Sequence, residues 1–451
     1  MGFVVALLAF IPAIFIVIII HEFGHYTAAR LCGVRVLRFS LGIGKILYSR
    51  KFSPDGTEWA LSLLPLGGYI KLLDARSEDM TQYPPEALAH EFTSRSVWQR
   101  MLIAVAGPAA NFLLAVFLLT GLYVYGIQHP VAQLRIVPAE TVAYHAGLRG
   151  GETVVAINDQ AVMHWDQVRI LSANAMLDHL QAIHLKWQGK DNRYYQADID
   201  ISHLTEQDMK GDFLKSLGLM VAYRPAVLGE LEANGPAEKA GLRQGDRILA
   251  VDGKTVIDSL DLIERIRKSP DSPLQFDLDR QGKRMSLVVR SGHRMDGRSG
   301  KIGRIGVNIY AAPEMVTVRY GILSALRQSI VKTAETSYLT VKSIGQIMAG
   351  TLSVKNISGP VGIADYAGKT VKAGGVAYLG FIVFISISIG IMNLLPIPVL
   401  DGGLLLYYAV EIVKGSPVSE RFFRIWTAVG LGILGLLMVI AMFNDFGRLF
   451  P

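Results

Sequence analysis

The chain has 451 residues, room for about three domains, and its 51% hydrophobic content with a mean hydropathy of +0.34 is high for a purely soluble enzyme. The net charge of +7 comes from scattered Lys and Arg with no aromatic-basic strip, which argues against a nucleic-acid partner and makes the basic residues markers of membrane topology. A single cysteine, Cys32, excludes an intrachain disulfide and a multi-cysteine metal site.

The first element is an apolar helix over 3–29. Phe3 to Ile20 carries no charged residue, and the run leads straight into His21-Glu22-Phe23-Gly24-His25. Residues four apart share a helix face, so His21 and His25 can offer two imidazoles to one metal ion. Glu22 beside them is suited to polarise a water rather than to ligate. A cleaved signal peptide is disfavoured: the first residues lack Lys and Arg, no clear Ala-x-Ala site follows, and the helix continues into the motif. The region 30–100 reads as a β-rich loop. Phe39–Gly44 and Trp59–Ile70 look like a hairpin, with Gly42, Gly44, Gly67 and Gly68 permitting close backbone approach. A second span covers 101–125 and contains Gly107-Pro108-Ala109-Ala110-Asn111.

Next comes an internal repeat. Thr141–Val162 and Gly235–Val256 register without a gap; each has Ala-Gly-Leu, then Gly and an acid, then a β-rich stretch ending in a polar turn. Asn158-Asp159 and Asp252-Gly253 suit that turn. The copies, over 128–222 and 223–315, resemble PDZ domains, the second more strongly, because the first has Thr141-Val142 where the second has Gly235-Pro236. The resemblance implies peptide binding by strand addition; the alternative is a spacer or size filter.

In 316–375, Ile322, Leu326, Ile330, Tyr338, Val341 and Ile344 describe an amphipathic helix, either interfacial or packed on the spans. A break follows at Asn356-Ile357-Ser358-Gly359-Pro360. The third span, 376–403, ends in Asn393 to Gly403, with Pro396 and Pro398 preventing regular helix. A loop at 404–424 and a fourth span in 425–451 complete the chain. Flanking Arg30, Arg35, Arg38, Arg95, Arg100, Lys414, Arg421 and Arg424 put the 28–100 and 401–424 loops in the cytoplasm, with both termini and 126–375 outside. His21 then lies about 27 Å along its helix, near the cytoplasmic edge of the bilayer.

Catalytic zinc sites usually take three protein ligands. Glu58, Glu78 and Glu86 are acids of the first loop, but nothing places them in the membrane. Asp401 arrives at the same edge as His25 and is the expected third ligand; the alternative is a carboxylate reaching water where a loop begins.

These features together resemble the site-2 protease family of intramembrane zinc metalloproteases, and the likeness covers nearly the whole chain. It implies Zn2+ held by His21, His25 and Asp401, with Glu22 as general base. It also implies a substrate-binding set: Asn393, Gly42 and Gly44, joined by Pro396 and Pro398, whose irregular backbone tilts toward the cavity. The expected substrates are single-span membrane proteins in a bacterial inner membrane, such as a pretrimmed anti-sigma factor, and remnant signal peptides. Lipid surrounds the spans, and no nucleic acid is expected. The expected fold is a polytopic α-helical membrane protein with four transmembrane helices, a membrane-associated β-hairpin element and two tandem extracytoplasmic PDZ domains. The rival readings are a non-catalytic membrane PDZ scaffold and a transporter.

Overall fold

A computed structural model describes residues 2–51, 56–178, 180–202, 213–296, 300–350, 358–416 and 419–449. In chain order the first elements are α1 (Gly2–Leu31), β1 (Val36–Lys51), β2 (Glu58–Leu72), α2 (Val97–Tyr125) and β3 (Ile127–Pro130). The first repeat supplies β4 (Thr153–Ile157), β5 (Gln160–Ala161), α3 (Trp165–Leu177), β6 (Ala182–Gln188) and β7 (Tyr194–Asp200). The second supplies β8 (Leu228–Leu231), β9 (Arg247–Val251), β10 (Lys254–Thr255), α4 (Ser259–Arg267), β11 (Pro273–Arg280) and β12 (Lys283–Arg290). It closes with β13 (Gly292–Asp296), β14 (Gly300–Arg304) and β15 (Val307–Ile309), and β16 (Met315–Val318) follows. The rest is helical: α5 (Ile322–Met348), α6 (Pro360–Ala373), α7 (Gly375–Leu394), α8 (Asp401–Lys414) and α9 (Glu420–Leu449). The chain divides into two compact units, one from Met1–Gly126 with Arg319–Pro451, the other from Ile127–Val318.

Among the described residues of the first unit, four helices are long and apolar enough to cross a membrane, over Val4–Leu31, Val97–Tyr125, Gly375–Leu394 and Arg424–Gly447. Small residues let them approach closely, as expected where lipid removes the hydrophobic drive between helices. Gly24 of α1 sits against the Ala106 carbonyl and Ala110 of α2, and Gly390 of α7 against Phe112 and Pro108. The third span is shorter than expected. α7 stops at Leu394, and Asp401 opens a new helix, α8, so residues read as loop at 404–414 are helical. Pro396 and Pro398 deny the backbone the N–H groups that would have continued α7. Asn356 and Ile357 of the expected break lie outside the described residues; Pro360 opens the first turn of α6.

α5 turns its faces opposite to a soluble amphipathic helix. Ala325, Ser329 and Thr333 are the buried face, and Ser329 accepts a hydrogen bond from Thr120 of α2. Ile322, Leu326, Ile330, Tyr338 and Val341 point outward. Long apolar side chains facing away from the protein suit lipid, and a small-residue stripe suits helix contact.

The expected hairpin is a folded ribbon. Residues 38–41 pair on one flank with 68–71 and on the other with 58–61, while 48–51 pair with 58–61. Two strands thus make a sheet four segments wide. The bend falls at Gly42 and Gly44, whose φ values of +91° and +93° favour glycine.

In the second unit the repeat is explicit. Two four-stranded sheets have matching orders, β5-β4-β6-β7 and β10-β9-β11-β12. β9 starts 94 residues after β4 (247 against 153). Both polar turns form with positive φ at Asn158, Asp159, Asp252 and Gly253. The acid of each repeat, Glu152 or Asp246, is buried and accepts backbone N–H groups from the preceding turn, at Arg149 and Arg243 respectively. β8 pairs with β15, whereas among the described residues the first copy has the isolated bridge Leu134 to Val221 there. β3 and β16 belong to neither sheet and pair with each other.

Candidate metal centre

α1 carries His21 and His25 one turn apart. Their Nε2 atoms face each other at 3.2 Å, with ring planes at 83°. Asp401 reaches both from the first residue of α8: Oδ2 is 3.2 Å from His21 Nε2 and Oδ1 is 3.4 Å from His25 Nε2. All three donors lie within 4.8 Å of one another, and both histidines are buried. Two ligands of a tetrahedral zinc at bonds of about 2.0–2.1 Å stand about 3.3 Å apart, so these separations suit one ion. Asp401 Oδ2 is buried without a hydrogen-bond partner, the state of an oxygen that awaits a cation.

The outer nitrogens are held as ligand imidazoles require. His25 Nδ1 lies 2.7 Å from the Ile103 carbonyl, so Nδ1 carries the proton and the Nε2 lone pair faces inward. His21 Nδ1 lies 3.2 Å from Asn111 Nδ2, while Asn111 Oδ1 is buried and unpartnered. A metal on Nε2 leaves a proton on Nδ1, and a half-turn of the Asn111 amide would bring its oxygen to accept it. Ser386 of α7 donates to the Asn111 backbone carbonyl at 2.8 Å, fixing α2 at this point. Gly107 is the cradle: a Cβ there would fall inside the His25 ring.

Glu22 receives the Ile70 backbone N–H, and Gly68 approaches its Cγ, so β2 runs directly past it. Asn393 Nδ2 is 3.4 Å from His21 Nε2. Gly42 and Gly44 lie at the ribbon bend, and a Cβ on Gly44 would meet open space. Pro396 is exposed. Pro398 is buried against Gly430 of α9, which leaves it to shape the loop rather than touch a substrate. The same loop holds Val399 at φ +81°, strained for a β-branched residue. It packs so closely that Cβ atoms on Gly402 or Gly403 would strike the Leu394, Leu395 and Ile397 carbonyls. Of the acids considered in the first loop, Glu58 pairs with Arg38 and Glu78 with Lys71, while Glu86 is exposed.

Sequence reasoning gave no role to Asn111, Gly107 or Ile103. An amide inside an apolar span was the available signal, since a buried amide needs a partner; the main-chain acceptor leaves no trace in sequence.

The sequence profile of Peptidase family M50 matches residues 9–437. A Ralstonia nicotianae protein named as a zinc metalloprotease is 37% identical over 98% of both chains. The regulator of sigma-E protease RseP of Escherichia coli (strain K12) is 38% identical over 100% of both, and that of Salmonella typhimurium (strain 14028s / SGSC 2262) is 37% identical over 98% of both. A PDZ domain from Listeria monocytogenes is similar over 20% of this chain and 94% of its own, at 18% identity and a TM-score of 0.18, too low to define a shared fold. The chain therefore belongs to Peptidase family M50, the site-2 protease family that its motifs resemble.

Proposed function

We propose that this chain is an intramembrane zinc endopeptidase that cleaves single-span membrane proteins near the cytoplasmic side of a bacterial inner membrane. The observation that carries the reading is the meeting of His21, His25 and Asp401, from opposite ends of the sequence, beside Glu22 and inside an apolar helix bundle.

His21, His25 and Asp401 hold the zinc, which supplies Lewis acidity toward a water molecule and a peptide carbonyl. Glu22 takes a proton from the attacking water and returns it to the departing amine nitrogen as the C–N bond breaks. The Ile70 N–H keeps the Glu22 carboxylate aimed while it does so. Asn393, beside His21, holds the substrate backbone. A helix hides its carbonyls, so the substrate must unwind. The outer segment of the ribbon, residues 68–72, has an open edge and passes Glu22; an extended substrate adds there as a further strand, with Gly42 and Gly44 setting the ribbon's curl.

The two repeats act as PDZ domains on the periplasmic side, with both termini, and filter substrates by size. A pretrimmed anti-sigma factor and remnant signal peptides are the substrates, in keeping with the sigma-E regulators among the relatives.

The deciding experiment compares the parent with Glu22→Gln in membranes holding a tagged, pretrimmed single-span substrate. Cleavage by the parent alone, at equal insertion, supports the reading. Equal cleavage by both removes Glu22 from its role, and no cleavage by either, with zinc bound, sinks the substrate class.

A further inference from the structure

Among the described residues, one other group of donors converges, in the second unit: His129, His164 and Asp166. His129 lies on β3, His164 immediately precedes α3 and Asp166 is in its first turn. Asp166 Oδ2 is 2.9 Å from His129 Nδ1 and 3.8 Å from His164 Nδ1. The imidazoles stack with centroids 3.9 Å apart and planes 18° from parallel. Both rings thus turn Nδ1 toward the same carboxylate.

His164 makes this more than a surface cluster. The residue is 6% exposed, and its Nδ1 is buried with no hydrogen-bond partner. Leaving such an atom unmatched is costly, and it aims at a carboxylate 3.8 Å away, too far to satisfy it. The Asp166 side chain, 53% exposed, leaves water free to complete a coordination shell.

We infer that His129, His164 and Asp166 form a second metal site, for a divalent ion of the zinc class. Two imidazoles and one carboxylate suit Zn2+, Co2+, Ni2+ or Cu2+ better than Ca2+ or Mg2+, which prefer oxygen. Asp166 Oδ2 stands 2.9 and 3.8 Å from the two Nδ1 atoms, on either side of the spacing of about 3.3 Å that tetrahedral zinc needs, and all three donors lie within 4.8 Å of one another, so small turns of the His129 ring and the half-exposed Asp166 carboxylate complete the fit. The consequence is structural. Among the described residues β3 pairs only with β16, and a two-stranded ribbon is marginal by itself. A bound ion pins that ribbon to the start of α3.

The test uses the full chain in detergent with His21→Ala/His25→Ala, which removes the imidazoles of the first centre. Equilibrium dialysis against micromolar zinc should leave about one ion per chain. Adding Asp166→Asn or, separately, His129→Gln should weaken binding by more than about tenfold. Cobalt should give a visible d–d band in the double variant that Asp166→Asn diminishes. Failure of the double variant to bind zinc or cobalt overturns the site, as does binding that neither further substitution changes.

Discussion

A histidine that ligates through Nε2 must dispose of the proton on Nδ1, and Asn111 is the only group that meets His21 there among the described hydrogen bonds. Asn111→Leu keeps the volume and removes the acceptor. Zinc affinity should fall about 10–100-fold with the fold retained, read by metal retention after dialysis; unchanged affinity would mean that His21 binds otherwise. The HExxH pair was legible because helix period alone puts residues four apart on one face. Asn111 was not, because its partner lies 90 positions away and only packing joins them. In the second unit, burial pushes the Asp246 carboxyl up, but Arg280 and the Arg243 backbone N–H outweigh it and hold it below the usual range. Stability from this residue is therefore present above the unfolded Asp value, about 3.9, and is lost as pH falls through that value toward the lowered one. Asp246→Asn should remove that part of the acid sensitivity, measured by denaturant unfolding between acid and neutral pH.

Elements were legible where one medium decides their pattern. The four spans and the repeat's turns follow from composition, whereas α5 showed a periodic face without showing what that face meets. Ala325, Ser329 and Thr333 pack inward because α2 offers a helix surface, not a soluble core. The end of α7 was misjudged for a related reason: apolar residues continue past Leu394, but two prolines stop the backbone. α8, which Asp401 opens, is tied down by Arg100 of α2. Its guanidinium meets both oxygens of Glu411 at 3.1 and 2.7 Å and lies over the Tyr408 ring. Glu411→Ala would leave a buried cation unpaired, at a cost of about 3–5 kcal/mol. Cleavage and zinc retention should both fall, and pairing it with Arg100→Met should restore much of each. A double-mutant cycle on thermal inactivation measures the coupling; additive losses would mean that the pair does not hold α8.

For the whole molecule, the repeats are an insertion that the chain enters and leaves at neighbouring points. Tyr320 donates its N–H to the Tyr123 carbonyl at 3.0 Å, and their rings are 5.5 Å apart. Excision should follow Ile127–Val318, because cutting at 128 and 315 would split the β3–β16 pair. On the proposed function, joining Gly126 to Arg319 through a short linker should let an untrimmed substrate be cut; unchanged selectivity would end the size-filter idea. The donors of the HExxH centre also divide in time. His21 and His25 leave the ribosome among the first residues, while Asp401 follows hundreds of residues later. A nascent chain has two imidazoles in the bilayer but no carboxylate to join them until α8 is made and docked. On the proposed function, the proteolytic centre cannot form before α8 is made, and a truncated or half-inserted product carries the motif without the means to cut its neighbours.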